Sequence, residues 1–257
     1  MNIVDLCKPY HQEYMRCLCH GDPTNCGRYK ERWVQRVGEK LRVKLAAGKD
    51  GPVGMIQYLP IELTRARGDG YYFIQCIWVH GYESGPGNMQ HKGIGTELLF
   101  AAEADVRQAG AKGLAGWGMD FEEWMPVSWY LARGFKEADR KGPEVLVYKA
   151  FDTAAETPYW VRMKKLPGRV PGKTTVHLFV NGWCQGGNHH MVCMKEAAEN
   201  FPEEVVLQEF DTSDPAVFEE WGVDDAIFID GEQIPFLPDP TVEHFRSILE
   251  EKIVDGE

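Results

Sequence analysis

Nothing in this sequence reads as a membrane span. No long apolar run interrupts it, and no basic segment followed by a short apolar one opens it. A cytoplasmic location is expected on that ground. Positive charge is also in deficit. Twenty-eight Lys and Arg stand against 39 Asp and Glu, a net charge of −11. That balance argues against nucleic acid or an anionic membrane as the main partner. Cysteine is sparse: there are seven, an odd number, and they read as reduced thiols rather than a disulfide framework. Two phosphate signatures are missing, the three-glycine dinucleotide fingerprint and the Gly-Lys-Ser/Thr of the P-loop. Apolar residues are not lacking. A hydrophobic share of 44% with 12% aromatics is globular, and 257 residues suffice for one large domain or two modest ones.

What is present centres on Gln90-His91-Lys92-Gly93-Ile94-Gly95-Thr96. This segment follows the β-branched and aromatic run Tyr71 to Val79 and leads into Glu97-Leu98-Leu99-Phe100-Ala101-Ala102. Strand, glycine turn and helix in that order make an anion site. The first N–H groups of a helix have no intrahelical acceptor, and the helix dipole adds positive potential there. Gly93 and Gly95 allow close approach of the main chain, and Lys92 adds a point charge.

The pattern Gln-x-x-Gly-x-Gly after an apolar strand resembles the acyl-CoA loop of the GCN5-related N-acetyltransferases. A second stretch, Ser128-Trp129-Tyr130-Leu131-Ala132-Arg133-Gly134-Phe135, is similar to the late helix of that family, which ends in Tyr-x-x-x-Gly-Phe. The resemblance covers residues 1 to about 150. It implies acetyl-CoA as co-substrate and no metal. It puts the pyrophosphate on the backbone N–H groups of Gln90, His91, Lys92, Gly93, Ile94, Gly95 and Thr96. The pantetheine arm would lie along Ile77, Trp78 and Val79, and Tyr130 would protonate the departing thiolate. The acceptor implied is the amine of a small molecule or peptide, with self-association as a homodimer admitted and neither nucleic acid nor membrane as partner.

The wider pattern fits an α/β (α+β) chain. Residues 1–151 read as an acetyltransferase domain with a mixed central sheet, its first forty residues helical. Strands are expected at Leu41–Leu45, Val53–Leu59, Tyr71–Val79, Gly113–Met119 and Val145–Tyr148, with a hairpin at Lys49-Asp50-Gly51. Residues 152–174 mix proline, glycine and basic residues and read as a linker. Residues 175–257 show strand, turn, helix, strand, strand and closing helix, an order that resembles the thioredoxin-like fold, with Trp183-Cys184 at its active-site place. Gly187 stands where the second cysteine of Cys-x-x-Cys would be. An acetyltransferase joined to such a tail resembles the YoaP group of bacterial acetyltransferases.

Three readings stay open. The loop His80 to Met89 is longer than the family's and either covers the site or is a surface insertion. Glu83 and Asp120 are both candidates for general base, and neither is selected. Cys17, Cys19, His20 and Cys26 form one soft-ligand set, and Cys184, His189, His190 and Cys193 another. Neither has two Cys-x₂₋₄-Cys pairs, so no structural zinc is expected. The alternative function is a thiol-based metal, metalloid or redox sensor built on an acyl-CoA-binding fold.

Overall fold

The structure, a computed structural model, describes residues 2–17, 27–236 and 240–255. They form two compact units. One takes residues 2–17 with Val37–Val161, and the other takes residues 27–36 with the chain from Arg162 onward.

In chain order the elements begin with β1 (Asn2–Asp5), α1 (His11–Arg16) and α2 (Gly27–Val37), and residues 27–36 of α2 belong to the second unit. There follow β2 (Arg42–Ala47), β3 (Pro52–Pro60), β4 (Ala66–Arg67), β5 (Tyr71–Val79), α3 (Ile94–Gln108) and β6 (Gly113–Met119). The first unit closes with α4 (Val127–Leu131), β7 (Lys136–Lys141), β8 (Glu144–Ala150) and β9 (Tyr159–Trp160). Seven strands make one mixed sheet in the order β1-β2-β3-β5-β6-β8-β7, in which only β5 and β6 run parallel. The α/β architecture with a mixed central sheet is the one expected.

The parallel pair follows from α3, because a helical crossover is the short way to return a strand in the same direction. Leu98, Leu99, Ala102 and Val106 give α3 one buried stripe, which packs on Ile56, Tyr58 and Ile74 of the sheet. The polar end of the helix is also tied down: Asp105 accepts from Tyr58 Oη at 2.7 Å and from Arg42 at 2.8 Å.

One sequence expectation fails here, and one strand lies where none is expected. The first forty residues are not all helical, since β1 opens the chain and pairs antiparallel with β2 from Asn2↔Ala47 to Asp5↔Lys44. Four residues are too few to display a period of two. The edge strand β7 was not anticipated because Lys-Glu-Ala-Asp-Arg-Lys is polar throughout, as suits an edge that must not recruit further strands. Inside the expected linker, Tyr159 and Trp160 pair with Arg67 and Ala66.

The second unit holds β10 (Thr174–Val180), α5 (Gln185–Ala198), β11 (Val205–Asp211), α6 (Pro215–Trp221), β12 (Ala226–Ile229), β13 (Glu232–Ile234) and α7 (Val242–Asp255). Its sheet runs β11-β10-β12-β13, with β10 parallel to β11 and antiparallel to β12. Val176, Leu178 and Val180 pack with Met191, Met194, Phe245 and Leu249 in its core. The turn expected as far as Gly187 is shorter. α5 starts at Gln185, and most of its residues are buried, so packing overrides the poor helix propensity of Gly186 and Gly187. No helix among the described residues is long and apolar enough to cross a membrane.

Candidate active site

The site begins where two strands part. β5 and β6 pair only at Tyr71↔Gly113, Tyr72↔Leu114 and Phe73↔Ala115, after which β6 continues along β8 as far as Met119↔Glu144. From Ile74 to Val79, β5 therefore has β3 on one side and an opening on the other. Trp117 reaches across it, its Nε1–H donating to the Gln75 carbonyl at 3.0 Å. Ile77, Trp78 and Val79 lie in the open stretch, each half-buried.

At the far end of that stretch stands the glycine turn. Gly93 precedes α3 with φ +81°, and His91 has φ +57°. Gln90 N–H is taken by Asn88 Oδ1 at 2.9 Å, and Thr96 N–H by Gly93 O at 2.9 Å. The N–H groups of residues 91–95 have no acceptor among the described residues. Consecutive free N–H groups with left-handed residues among them form an anion-binding nest, and the dipole of the 15-residue α3 adds to it. Lys92 Nζ lies 3.5 Å from Met89 Sδ. The loop before the turn is folded on itself: His80 Nδ1 lies 3.1 Å from Gly87 O, and Met89 N–H donates to His80 O at 2.8 Å. The Gln90 side chain lies over Gly81, where a Cβ would come within 2.4 Å of its Nε2.

The two sequence motifs meet in space. Gly95 leaves room for Trp129, whose Cζ2 lies 3.4 Å from where a Cβ would stand. Arg133 Nε and Nη2 donate to Thr96 Oγ1 at 3.0 and 2.9 Å, Nη1 donates to Trp129 O at 2.7 Å, and the guanidinium covers the Trp129 ring at 4.0 Å. No carboxylate pairs with Arg133 among the described residues, and burial lowers its pKa from the ordinary value. A cation without a counter-ion at a helix N-terminus is a second contribution to the anion site. Sequence reasoning missed it, although Arg133 stands inside the quoted late-helix motif.

The same motif fixes Tyr130. Phe135 N–H reaches back to Tyr130 O at 3.3 Å, and Gly134 N–H to Leu131 O at 3.1 Å, with Gly134 at φ +83°. This is the Schellman closure of a helix, which needs glycine at the left-handed position and pairs the flanking apolar residues. Here the pair is Phe135 edge-on to Tyr130 at 5.3 Å. The Tyr130 ring sits beside Gly116, where an added Cβ would lie 3.4 Å from Ile74 and 3.6 Å from Tyr130 Cε1, so the ring stands at the root of the opening. The phenol is buried, its oxygen has no hydrogen-bond partner, and burial pushes its pKa well up, with Cys76 adding to the rise. It holds its proton at any working pH.

Of the two carboxylate candidates, Asp120 faces Arg140 at 3.5 Å, and Glu83 is exposed on the folded loop. The soft-ligand sets are only partly within the described residues, since Cys19, His20 and Cys26 lie outside them. Among the described residues no three His, Cys, Asp or Glu are grouped to hold a metal.

In the second unit, Cys184 is the residue before α5, and a Cβ at Gly187 would stand 3.8 Å from Cys184 Cβ. Cys193 lies lower on the helix, 3.7 Å from His189 Nε2 and from Pro240 O.

No protein-family model matches the sequence, and no curated protein matches it. Among solved structures, the chain is similar to an aminoglycoside 6'-N-acetyltransferase from Enterococcus faecium, at 16% identity over 61% of this chain and 100% of that one, TM-score 0.45. It is also similar to a GNAT family acetyltransferase from Brucella melitensis in complex with acetyl-CoA, at 17% identity over 59% and 88%, TM-score 0.42. A third is an IAA acetyltransferase from Bacillus cereus, at 19% identity over 58% and 99%, TM-score 0.40.

Proposed function

We propose that the first unit is an acetyl-CoA-dependent N-acetyltransferase acting on the amine of a small molecule or peptide. One observation carries the reading: an opening between parallel strands has an anion nest at one end and an unpartnered buried phenol at the other. From Ile74 to Val79 the strand covers roughly 16 Å at about 3.3 Å per residue. That suits an extended pantetheine arm between thioester and pyrophosphate. The nest of residues 91–95, with Arg133 and Lys92, holds the phosphates. The free edge of β5 at Ile77, Trp78 and Val79 offers main-chain groups to the arm's amides. The buried phenol is the group that fits a sulfur there.

The reaction needs little from the protein beyond position. The amine lone pair attacks the thioester carbonyl, the C–N bond forms, the C–S bond breaks, and Tyr130 gives its proton to sulfur. The proton leaving nitrogen reprotonates the phenolate through water. Burial raises the pKa of the phenol, and it raises that of the departing thiol in the same water-poor opening, so the transfer stays feasible. The direct test is release of free thiol from acetyl-CoA against a panel of amines, amino acids and thiols. Failure of the protein to bind CoA sinks the assignment.

Arg133→Met should weaken CoA binding about tenfold, the value of one charge-assisted contact, and should lower its salt dependence. Titration calorimetry at two ionic strengths reads both. A weaker affinity with an unchanged salt slope would make Arg133 a brace for Trp129 and Thr96 only.

For the second unit, we propose a thioredoxin-like fold without dithiol exchange. The β-α-β-α-β-β-α order supports the fold. Gly187, beside Cys184 where a resolving thiol would stand, argues against the reaction. The start of α5 favours the Cys184 thiolate. A maleimide reagent should label Cys184 rapidly in the full chain, while the protein reduces no protein disulfide catalytically. Disulfide turnover that vanishes in Cys184→Ser would overturn this.

A further inference from the structure

The register of β5 contains one residue too many. Tyr58 pairs with Ile74 and Gln57 with Cys76, so Gln75 is the extra residue of a bulge, two positions past the last β5–β6 pair. Bulges re-aim side chains and recur beside active sites. This one has a definite effect on facing. Ile74 and Ile77 both pack in the core under α3, so Gln75 and Cys76 together occupy the opposite face of the sheet. On that face Tyr14 Oη donates to Gln57 Oε1 at 2.8 Å, beside Cys76 in the register.

Gln75 is 2% exposed, yet its Oε1 has no hydrogen-bond partner and its amide nitrogen makes no bond among the described residues. Its main-chain carbonyl is occupied by Trp117. A carboxamide oxygen buried without a partner is costly to the protein alone, and such groups call for an explanation. The bulge places it where the strands part, on the face away from Tyr130 and α3.

We infer that the Gln75 carboxamide is the group that receives the acceptor amine, an assignment that rests on the acetyl-transfer reading above. The amine N–H donates to Gln75 Oε1 and directs the nitrogen lone pair to the thioester carbonyl across the opening, while Tyr130 meets the sulfur. The receiving group is neutral. It offers nothing to offset the burial of an ammonium charge, so the free amine, which is the nucleophile, is the form that enters. The ammonium proton is lost to solvent before entry. A hydroxyl can also donate to Gln75 Oε1, but a thiol S–H is only a weak donor, so a thiol of the same shape leaves the carboxamide oxygen poorly paired and is disfavoured.

The experiment compares wild type with Gln75→Met, which keeps length and removes the amide. Three quantities are measured: the melting temperature of the free protein, the Kd for CoA, and kcat/KM for acetyl-CoA with a primary alkylamine, a polyamine, an amino sugar and a peptide N-terminus. The expected result is an equal or higher melting temperature, an unchanged Kd, and a loss of about 10–100-fold in kcat/KM for the best amine, the value of one buried hydrogen bond. A lower melting temperature with unchanged kcat/KM would show a packing residue and overturn the assignment. So would equal kcat/KM with every other quantity unchanged. A wild type that binds no CoA, or acetylates no amine, brings down the acetyl-transfer reading itself, whereas a wild type that turns over and a variant that matches it sinks this inference alone.

Discussion

Tyr130→Phe is expected to lower kcat by about 10²–10⁴-fold, the usual contribution of one positioned general acid. The fold should not suffer. The hydroxyl is buried without a partner, so removing it relieves an unsatisfied group instead of breaking a bond. The ring keeps its contacts with Phe135 and Trp129. CoA affinity should change far less than kcat, because the proton is needed only as the C–S bond breaks. Pre-steady-state thiol release isolates the chemical step. An unchanged rate there would reduce Tyr130 to a packing residue.

Gly93→Val is expected to abolish CoA binding, a loss of about 10²-fold or more in Kd. Two effects act together. The residue has φ +81°, where a β-branched side chain is strained by roughly 1–2 kcal/mol. A Cβ at Gly93 also meets no atom within 4 Å, so the added bulk stands in open space at the turn that would hold the anion and not against the fold. The absence of any clash explains why the fold itself should survive. Circular dichroism and a CoA titration on the same sample check both halves, and wild-type affinity in a folded variant would place the phosphates elsewhere.

The parts of this molecule that could be read in the sequence were those with a local cause. β5 falls at Tyr71–Val79 as expected because β-branched and aromatic residues fill it, and the glycine turn announces α3. Tyr130, Gly134 and Phe135 could be read because helix closure imposes their spacing. What could not be read depends on pairing. The bulge at Gln75 exists only in the register between β3 and β5, and no single strand shows it. Arg133 looks like an ordinary helix residue until Trp129 and Thr96 are brought beside it. β1 and β7 are strands by virtue of their neighbours, one too short and the other too polar to signal themselves.

Gly182 carries a consequence for how the chain is made. A side chain there would strike the Tyr29 carbonyl, 2.6 Å from the position of a Cβ, and Tyr29 also donates to Glu209 while Arg32 reaches Val180 O and Asp211. The second unit thus takes one of its helices from a segment translated before Val37–Val161. On the ribosome, α2 emerges long before the strands it packs on, and must wait for them with its apolar face unpaired. The closing contact spans a long stretch of chain, the kind that slows folding most. A fragment that begins at Arg162 would lack that helix, and with it the buried Tyr29 ring and the ion pairs of Arg32 and Arg36 with Asp211.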